Sequence, residues 1–226
     1  MYADLVDKLA EDRQVVAIEL QGHGHTRDIA RPFRWERFGD DIADVIGRLG
    51  FSQADLLGHS LGGGASLRCA IQHPPLVRKL ILLSAPHRRD SWFPEVLAGF
   101  DQMTSATLFD QMKQSPVYGG FVQVAPDAGS FPALIDKTGD LLRQPYDWSD
   151  EITQLRVPVE LIYGDADSIS PTRAAEFFAL LGGGTRDAGL DGSLPTDSRL
   201  VILPGISHYN LLSSPHLARV VAEFAR

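Results

Sequence analysis

Residues 54–64 read ADLLGHSLGGG: a short apolar run, a Gly-His-Ser-Leu-Gly turn and the start of a segment compatible with a helix. In a G-x-S-x-G turn between a strand and a helix, the serine is strained and exposes its hydroxyl at the sheet edge, and the flanking glycines allow two backbone segments to approach closely. The helix that follows directs free N–H groups to the same place, which favours an oxyanion there. The pattern indicates a nucleophile at Ser60. The pentapeptide alone is also compatible with a tight turn in which Ser60 caps the helix.

Composition restricts the classes of function. The chain has 226 residues, which suits one domain with a single core. A net charge of -8 argues against a nucleic-acid partner, because binding to a phosphate backbone depends on lysine and arginine. No apolar stretch approaches the roughly 20 residues that span a bilayer, so no membrane partner is expected. The first residues do not resemble a signal peptide, which favours a cytoplasmic location.

Hydrophobic periodicity predicts alternating strands and helices. The first predicted strand, at 14–20, is apolar enough to be buried. Residues 182–198 are polar and rich in glycine, which indicates a surface loop. The predicted strands lie at 14–20, 54–58, 78–84, 157–164 and 199–204, and the predicted helices at 4–12, 35–49, 61–73, 171–181 and 215–226. The single Cys69 cannot form an internal disulfide and is expected in the core.

Residues 87–150 differ in character from the rest of the chain. Strand-like runs are absent, prolines recur, and nine of the 19 aromatic residues fall in this segment. We expect a mostly helical insertion between the two halves of an α/β core, at 1–86 and 151–226. Its aromatic side chains line either the insertion's own core or a substrate pocket, and Trp92 is a candidate for the pocket.

Histidines near the predicted sheet edge are further candidates for the site. His23 and His25 follow the first predicted strand, at the end of the strand where α/β sheets bind ligands. A His-x-His pair without further ligands at suitable spacing is weak support for a metal site, so neither a metal nor a cofactor is expected. We assign His23, His59 and Tyr209 to a candidate pocket wall.

Several motifs in register resemble the α/β-hydrolase superfamily over nearly the whole chain. Residues 19–26 resemble its D-x-x-G-x-G-x-S loop, with Glu19 in place of Asp, and residues 58–62 resemble its nucleophile turn. Residues 164–171 are similar to the G-x-x-D-x-x-x-P stretch that supplies the acid, and 204–208 to the loop that supplies the histidine. The resemblance implies a mostly parallel sheet flanked by helices, a helical cap at 87–150, and a triad. The triad residues that it implies are Ser60, Asp167 and His208.

The chemistry of a serine nucleophile requires the same residue types. A serine hydroxyl needs a neighbouring imidazole to take its proton, and the imidazole needs a carboxylate to fix its tautomer. Asp167 and His208 each follow a predicted strand at the edge that carries Ser60. Asp165 is the alternative acid. We favour Asp167, because Asp165 still adjoins the strand and could instead hold the loop through turn hydrogen bonds.

One element of the family is expected to be missing. The oxyanion hole usually combines the N–H of the residue after the nucleophile, here Leu61, with an N–H from an H-G loop after an earlier strand. The family would place that strand before the predicted helix at 4–12 in sequence and between 15–20 and 54–58 in the sheet, and no such strand precedes Tyr2. Met1 is then an internal methionine taken as a start, or the chain is truncated, or the sheet closes differently. We favour a lost N-terminus. Residues 15–20 should then pair with 54–58, form a poorly ordered edge, or pair with a second chain, so that the protein self-associates through an unpaired sheet edge.

Together these features predict a serine hydrolase that cleaves a carboxylic ester of a small acyl substrate through an acyl-enzyme. A serine nucleophile disfavours the dehalogenase and epoxide-hydrolase branches. Lactonase, thioesterase, amidase and C–C bond hydrolase activities stay open, because nothing in the sequence identifies the leaving group. The alternative is a non-catalytic binding module that lacks half of the oxyanion hole, since losing one donor costs about 10²–10³ in turnover.

Overall fold

Four parallel strands form the sheet in the described part of the chain, and they follow one another in space as they do in sequence. The computed structural model describes residues 3–226; Met1 and Tyr2, on which the signal-peptide prediction partly rests, lie outside the described residues. The strands are β1 (Ala54–His59), β2 (Val77–Leu83), β3 (Val159–Ala166) and β4 (Arg199–Ser207). The strands predicted at these places are confirmed, and β4 is three residues longer than expected.

Helices cover both faces of the sheet because the apolar side chains of its strands alternate between the faces. The helices are α1 (Ala3–Ala10), α2 (Trp35–Arg48), α3 (Leu61–Gln72), α4 (Pro94–Asp101), α5 (Ser105–Met112), α6 (Pro116–Val124), α7 (Phe131–Arg143), α8 (Ser149–Ile152), α9 (Pro171–Leu180) and α10 (Leu217–Ala225). Leu80 and Leu82 face a core shared with α2, α3 and α9, whereas Ile81 and Leu83 face a core shared with α1 and α10. Cys69 is buried on α3, as predicted. No helix within residues 3–226 is both long and apolar enough to cross a bilayer.

The segment between β2 and β3 contains α4 to α8 and no strand of the sheet. Since β2 pairs directly with β3, this segment is inserted outside the sheet. It has a small core of its own, in which Phe121 and Phe131 are buried and Phe109 and Tyr118 pack against them. Part of the aromatic content of the insertion is therefore structural. Its exact limits at 87 and 150 stay a prediction.

The first predicted strand is wrong. Residues 14–20 adopt no strand, and Val16 and Ile18 are 43% and 38% exposed. Pairing with β1 is not seen either, because β1 pairs only with β2 among the described residues and is an edge of the sheet. A strand needs a neighbour about 4.8 Å away to complete its hydrogen bonds. The apolar run at 14–20 has no such neighbour, so its side chains lie at the surface.

Candidate active site

Ser60 occupies the sharp turn between β1 and α3, in a conformation that few non-glycine residues adopt. Its φ is 54° and its ψ is -118°. Such a conformation costs on the order of 1–3 kcal/mol and persists only where the surroundings impose it. Here the Ser60 N–H donates to the carbonyl of Leu83 at 2.9 Å, and the Ser60 carbonyl accepts from the Gly64 N–H at 3.0 Å. The turn is thus held from β2 on one side and from α3 on the other.

Two glycines of the turn are required by close contacts. A Cβ on Gly58 would lie 2.2 Å from the carbonyl oxygen of Gly62, and a Cβ on Gly63 would lie 2.5 Å from the Cβ of Ala85. A Cβ on Gly62 would meet nothing within 4 Å. The expectation that both glycines of the G-x-S-x-G motif permit close approach is therefore right for Gly58 and wrong for Gly62. The second close contact is made by Gly63, the residue after the motif.

A continuous chain of hydrogen bonds connects Ser60, His208 and Asp167. His208 Nε2 lies 2.9 Å from Ser60 Oγ, and His208 Nδ1 lies 3.0 Å from Asp167 Oδ1. Asp167 directly follows β3 and His208 directly follows β4, so the carboxyl ends of three parallel strands bring the residues to one edge. Asp165 lies elsewhere: it is exposed, and its Oδ1 accepts from the Gly205 N–H at 2.7 Å.

The surroundings of Asp167 keep its carboxylate charged. Burial alone raises the pKa of this side chain, but hydrogen bonds from His208 and Ser84 outweigh burial and hold the pKa below its usual value of 3.8. The N–H groups of Ile169, at 3.2 Å, and Gly164, at 3.3 Å, also donate to the carboxylate. An ionised Asp167 can therefore accept a hydrogen bond from the Nδ1–H of His208, which keeps the proton on Nδ1 and leaves Nε2 free to accept a proton from Ser60.

Sequence reasoning missed Ser84, whose hydroxyl donates to Asp167 Oδ2. Ser84 directly follows β2, is fully buried, and has a φ of 47°. Its N–H donates to the carbonyl of Ile162 at 2.9 Å, so the turn after β2 is fixed to β3. A lone serine at the end of a strand carries no motif. Asp167 lies 83 residues away in sequence, so only the folded structure shows the hydrogen bond between the two side chains.

Three of the four predicted pocket residues surround His208. The rings of Trp92 and His59 lie with centroids 5.3 Å and 5.0 Å from that of His208, and the ring of Tyr209 lies at 5.6 Å. Trp92 is buried, whereas Tyr209 is 86% exposed and marks the solvent side of the site. Trp92 was the sequence candidate among the aromatic residues of the insertion, and it packs edge-on against His208.

His23, the fourth predicted pocket residue, makes its contacts within its own part of the chain. Its Nδ1 lies 3.0 Å from the carbonyl oxygen of Gln21, and its ring stacks on Phe33 with centroids 5.9 Å apart. Burial lowers the pKa of His23, so the neutral ring donates to Gln21. His25 instead contacts Glu19, whose Oε2 accepts the His25 N–H at 2.8 Å. Neither contact joins the triad.

Leu61 is the first residue of α3, so the helix supplies no acceptor for its N–H. This N–H directly follows Ser60 in the chain, at the end of the helix that carries the positive end of the dipole. The absence of a second oxyanion donor stays a prediction. Within residues 3–226, no group of three or more His, Cys, Asp or Glu side chains is arranged to hold a metal ion.

The insertion contacts the rest of the chain at two places. Trp92 and Ile169 form an antiparallel bridge, and the Phe93 N–H donates to the carbonyl of Ser168 at 3.2 Å, beside the loop that holds Asp167. On α7, Lys137 Nζ lies 2.7 Å from Asp28 Oδ2 in a largely buried ion pair. The first connection holds the insertion beside the triad, and the second joins it to the segment between residue 20 and α2.

Comparisons of sequence and structure with known proteins show the family of the chain. The profile described as "alpha/beta hydrolase fold" matches residues 1–215. The chain belongs to the α/β-hydrolase family. This hydrolase is 30% identical over 231 residues to a pimeloyl-[acyl-carrier protein] methyl ester esterase of Neisseria meningitidis serogroup B, covering 94% of this chain and 82% of the relative.

More distant relatives share the fold or a part of the sequence. A 2-hydroxymuconate semialdehyde hydrolase of a Pseudomonas species is 35% identical over 82 residues, which is 36% of this chain and 29% of the relative. A thermophilic esterase from Thermogutta terrifontis superposes with a TM-score of 0.72 at 20% identity, covering 100% of this chain and 84% of the other. At that identity the likeness shows the fold alone. Hydrolase and esterase relatives support an ester-cleaving enzyme of this family.

Proposed function

We propose that the protein is a serine hydrolase that cleaves a carboxylic ester of a small substrate through an acyl-enzyme. The observation that carries this proposal is the unbroken hydrogen-bond chain from Ser60 through His208 to Asp167. The strained backbone of Ser60 supports it, because strain of this kind in a non-glycine residue is concentrated at functional sites.

Each residue has a role that follows from its position. Ser60 Oγ attacks the ester carbonyl while its proton passes to His208 Nε2, and Asp167 orients the ring and stabilises the imidazolium that forms. The Leu61 N–H stabilises the negative charge on the carbonyl oxygen. The imidazolium then gives its proton to the leaving alcohol. In the second half, His208 takes a proton from the water that attacks the acyl-enzyme, and it returns this proton to Ser60 Oγ as the bond between Ser60 and the acyl group breaks and the acid leaves.

The insertion serves in this proposal as the cap over the site. Its connection through Trp92 to the Asp167 loop holds it beside the triad, and the ion pair of Lys137 with Asp28 joins it to a second part of the chain. The buried Trp92 ring beside His208 offers an apolar surface for an acyl or alcohol group. The relatives named as methyl ester esterases make a methyl ester of a short acid the first substrate class to test.

The proposal is tested by ester hydrolysis. We expect the chain to release p-nitrophenol from p-nitrophenyl acetate and butyrate, and methanol from methyl esters of short acids. Ser60→Ala should abolish both reactions while keeping the thermal midpoint within a few degrees. If the unaltered chain and Ser60→Ala bind these esters with equal affinity and neither hydrolyses them, the chain acts as a binding module and the proposal is wrong. Cleavage of a C–C bond in preference to every ester would also contradict the proposal.

A further inference from the structure

His59 forms a contact with His208 that does not belong to the triad. It is the last residue of β1, directly before Ser60, and its Nε2 lies 3.2 Å from the backbone carbonyl oxygen of His208, 149 residues away in sequence. The two imidazole rings lie 5.0 Å apart at an angle of 37°. The side chain of His59, on the strand that precedes the nucleophile, thus contacts the backbone of the residue that supplies the base.

The partner of His59 fixes its tautomer. A carbonyl oxygen only accepts hydrogen bonds, so the proton of a neutral His59 must lie on Nε2. Burial, aided by the charge that His208 acquires, lowers the pKa of His59 to about 4, although the carbonyl of His208 and the charge of Asp167 act in the opposite direction. Near neutral pH, His59 is therefore an uncharged donor, and it does not add a second positive charge beside His208.

Both ends of this contact adjoin strands of the sheet. The backbone of His59 is paired with Leu83 in β2, so the position of its ring is set by the sheet. His208 lies just beyond β4, where the preceding residue, Ser207, is held by a hydrogen bond from its N–H to Asn210 Oδ1 at 2.7 Å. The hydrogen bond from His59 is a direct connection between the sheet strand of the nucleophile and the backbone of the base.

We propose that His59 is a positioning residue: it donates from Nε2 to the His208 carbonyl and so holds the base in line with Ser60. The side-chain nitrogens of His208 are already committed to Ser60 and Asp167. The bond from His59 fixes the backbone from which that side chain extends. This inference rests on the proposed serine-hydrolase function, although the contact itself does not.

Two substitutions of His59 distinguish the effect of its Nε2–H donor from the effect of its aromatic ring. In His59→Gln, the amide nitrogen lies about as far from the backbone as Nε2 and can still donate. In His59→Phe, the ring is kept and the donor is lost. With p-nitrophenyl butyrate we expect His59→Phe to lower kcat by about 2- to 10-fold, the factor that the loss of one neutral hydrogen bond corresponds to, with KM nearly unchanged. His59→Gln should recover most of that loss. His216→Phe, at an exposed position remote from the triad, is the control and should leave kcat unchanged.

Two kinetic outcomes overturn the proposal. The first is a native kcat for His59→Phe. The second is an equal loss in both variants with a matching drop in thermal midpoint, which would indicate a role in packing only. A measurement that needs no turnover is the long-range ¹H–¹⁵N spectrum at pH 7. It should show the His59 proton on Nε2, and a proton on Nδ1 would contradict the proposal. A chain that shows the Nε2 tautomer yet hydrolyses no ester would contradict the serine-hydrolase function alone.

Discussion

Asp167 and Asp165 are two residues apart in sequence, yet they accept different hydrogen bonds and are expected to have different roles. Asp167 accepts four hydrogen bonds, including that of His208, whereas Asp165 accepts one from the Gly205 N–H at the surface. We expect Asp167→Asn to lower kcat by roughly 10³–10⁴-fold, because an amide cannot fix the required tautomer of His208. Asp165→Asn should lower it less than tenfold. Steady-state hydrolysis of p-nitrophenyl butyrate measures both, and the reverse order would assign the acid to Asp165.

Ser84 supports the carboxylate through a buried hydroxyl. Removing a hydrogen bond to a charged group costs about 1.5–3 kcal/mol, which corresponds to roughly 10- to 100-fold. We expect Ser84→Ala to lower kcat/KM by about this factor, because Asp167 loses one of the donors that keep it ionised. Ser66→Ala, another buried serine but on α3, is the matched control. Equal rates for the two variants would remove Ser84 from the site.

The contrast between these residues shows what a sequence can predict. Ser60, Asp167 and His208 were predicted from short motifs at 58–62, 164–171 and 204–208, each of which contains glycine or proline. The Ser84 contact was not predicted, since it depends on the register between β2 and β3. The contact of His59 with the His208 carbonyl was missed because it depends on how the ends of β1 and β4 lie in space, although His59 itself was assigned to the site.

Among the strands and helices, the failure at 14–20 is the informative one. Its apolar run has the composition of a buried strand, and composition alone cannot report whether a neighbouring strand is present. The four strands that do form have the same apolar character, and helices flank 14–20 as they flank the other strands, so the sequence offers no local difference between them. Strand pairing depends on two segments, so the sequence of one segment alone does not predict whether it pairs.

The free edge of β1 and the exposed apolar side chains at 14–20 lead to a prediction about association. We propose that this edge pairs with a second copy of the chain, because unpaired backbone groups and exposed apolar side chains favour strand addition. Light scattering from 1 to 100 µM should show a rising mass. Ile18→Lys should suppress the rise, since a charge on an edge opposes pairing, whereas Ile29→Lys, at another exposed isoleucine, should not. A constant monomer mass for the unaltered chain would contradict the proposal.

In the molecule as a whole, the parallel topology explains why the site could be located from sequence. Parallel strands place all their carboxyl ends on one edge, so residues that follow different strands converge. The same sheet also buries a carboxyl group, Glu160 on β3, whose Oε2 has no hydrogen-bond partner among the described residues. Sequence periodicity gave no indication of this group, because the residue lies within an otherwise apolar strand.

Glu160 makes the stability of the protein depend on pH. Burial raises its pKa from 4.5 to about 7; Glu223 adds to this shift, and Arg199 and Lys79 oppose it. Between these two values the folded state retains a proton that the unfolded state releases, so the free energy of unfolding falls as the pH rises and levels off above about 7. We expect Glu160→Gln to flatten this fall and to raise the free energy of unfolding at pH 8 by about 1–3 kcal/mol.

Urea unfolding at pH 5, 6, 7 and 8 measures this dependence. The matched control is Glu95→Gln, which makes the same chemical change at an exposed position on α4. It should leave the pH dependence as it is in the unaltered chain. The same slope for Glu160→Gln and the unaltered chain would show that Glu160 is not the group responsible.

Covalent labelling with a fluorophosphonate, followed by peptide mass spectrometry, tests the assignment of the nucleophile most directly. The reagent reacts with a serine only when a base activates it, so it reports on Ser60 and His208 together. We expect one label per chain on the peptide that contains Ser60, and none in Ser60→Ala or His208→Ala. A label on a different residue, or an equal yield from Ser60→Ala, would contradict the assignment of Ser60 as the nucleophile.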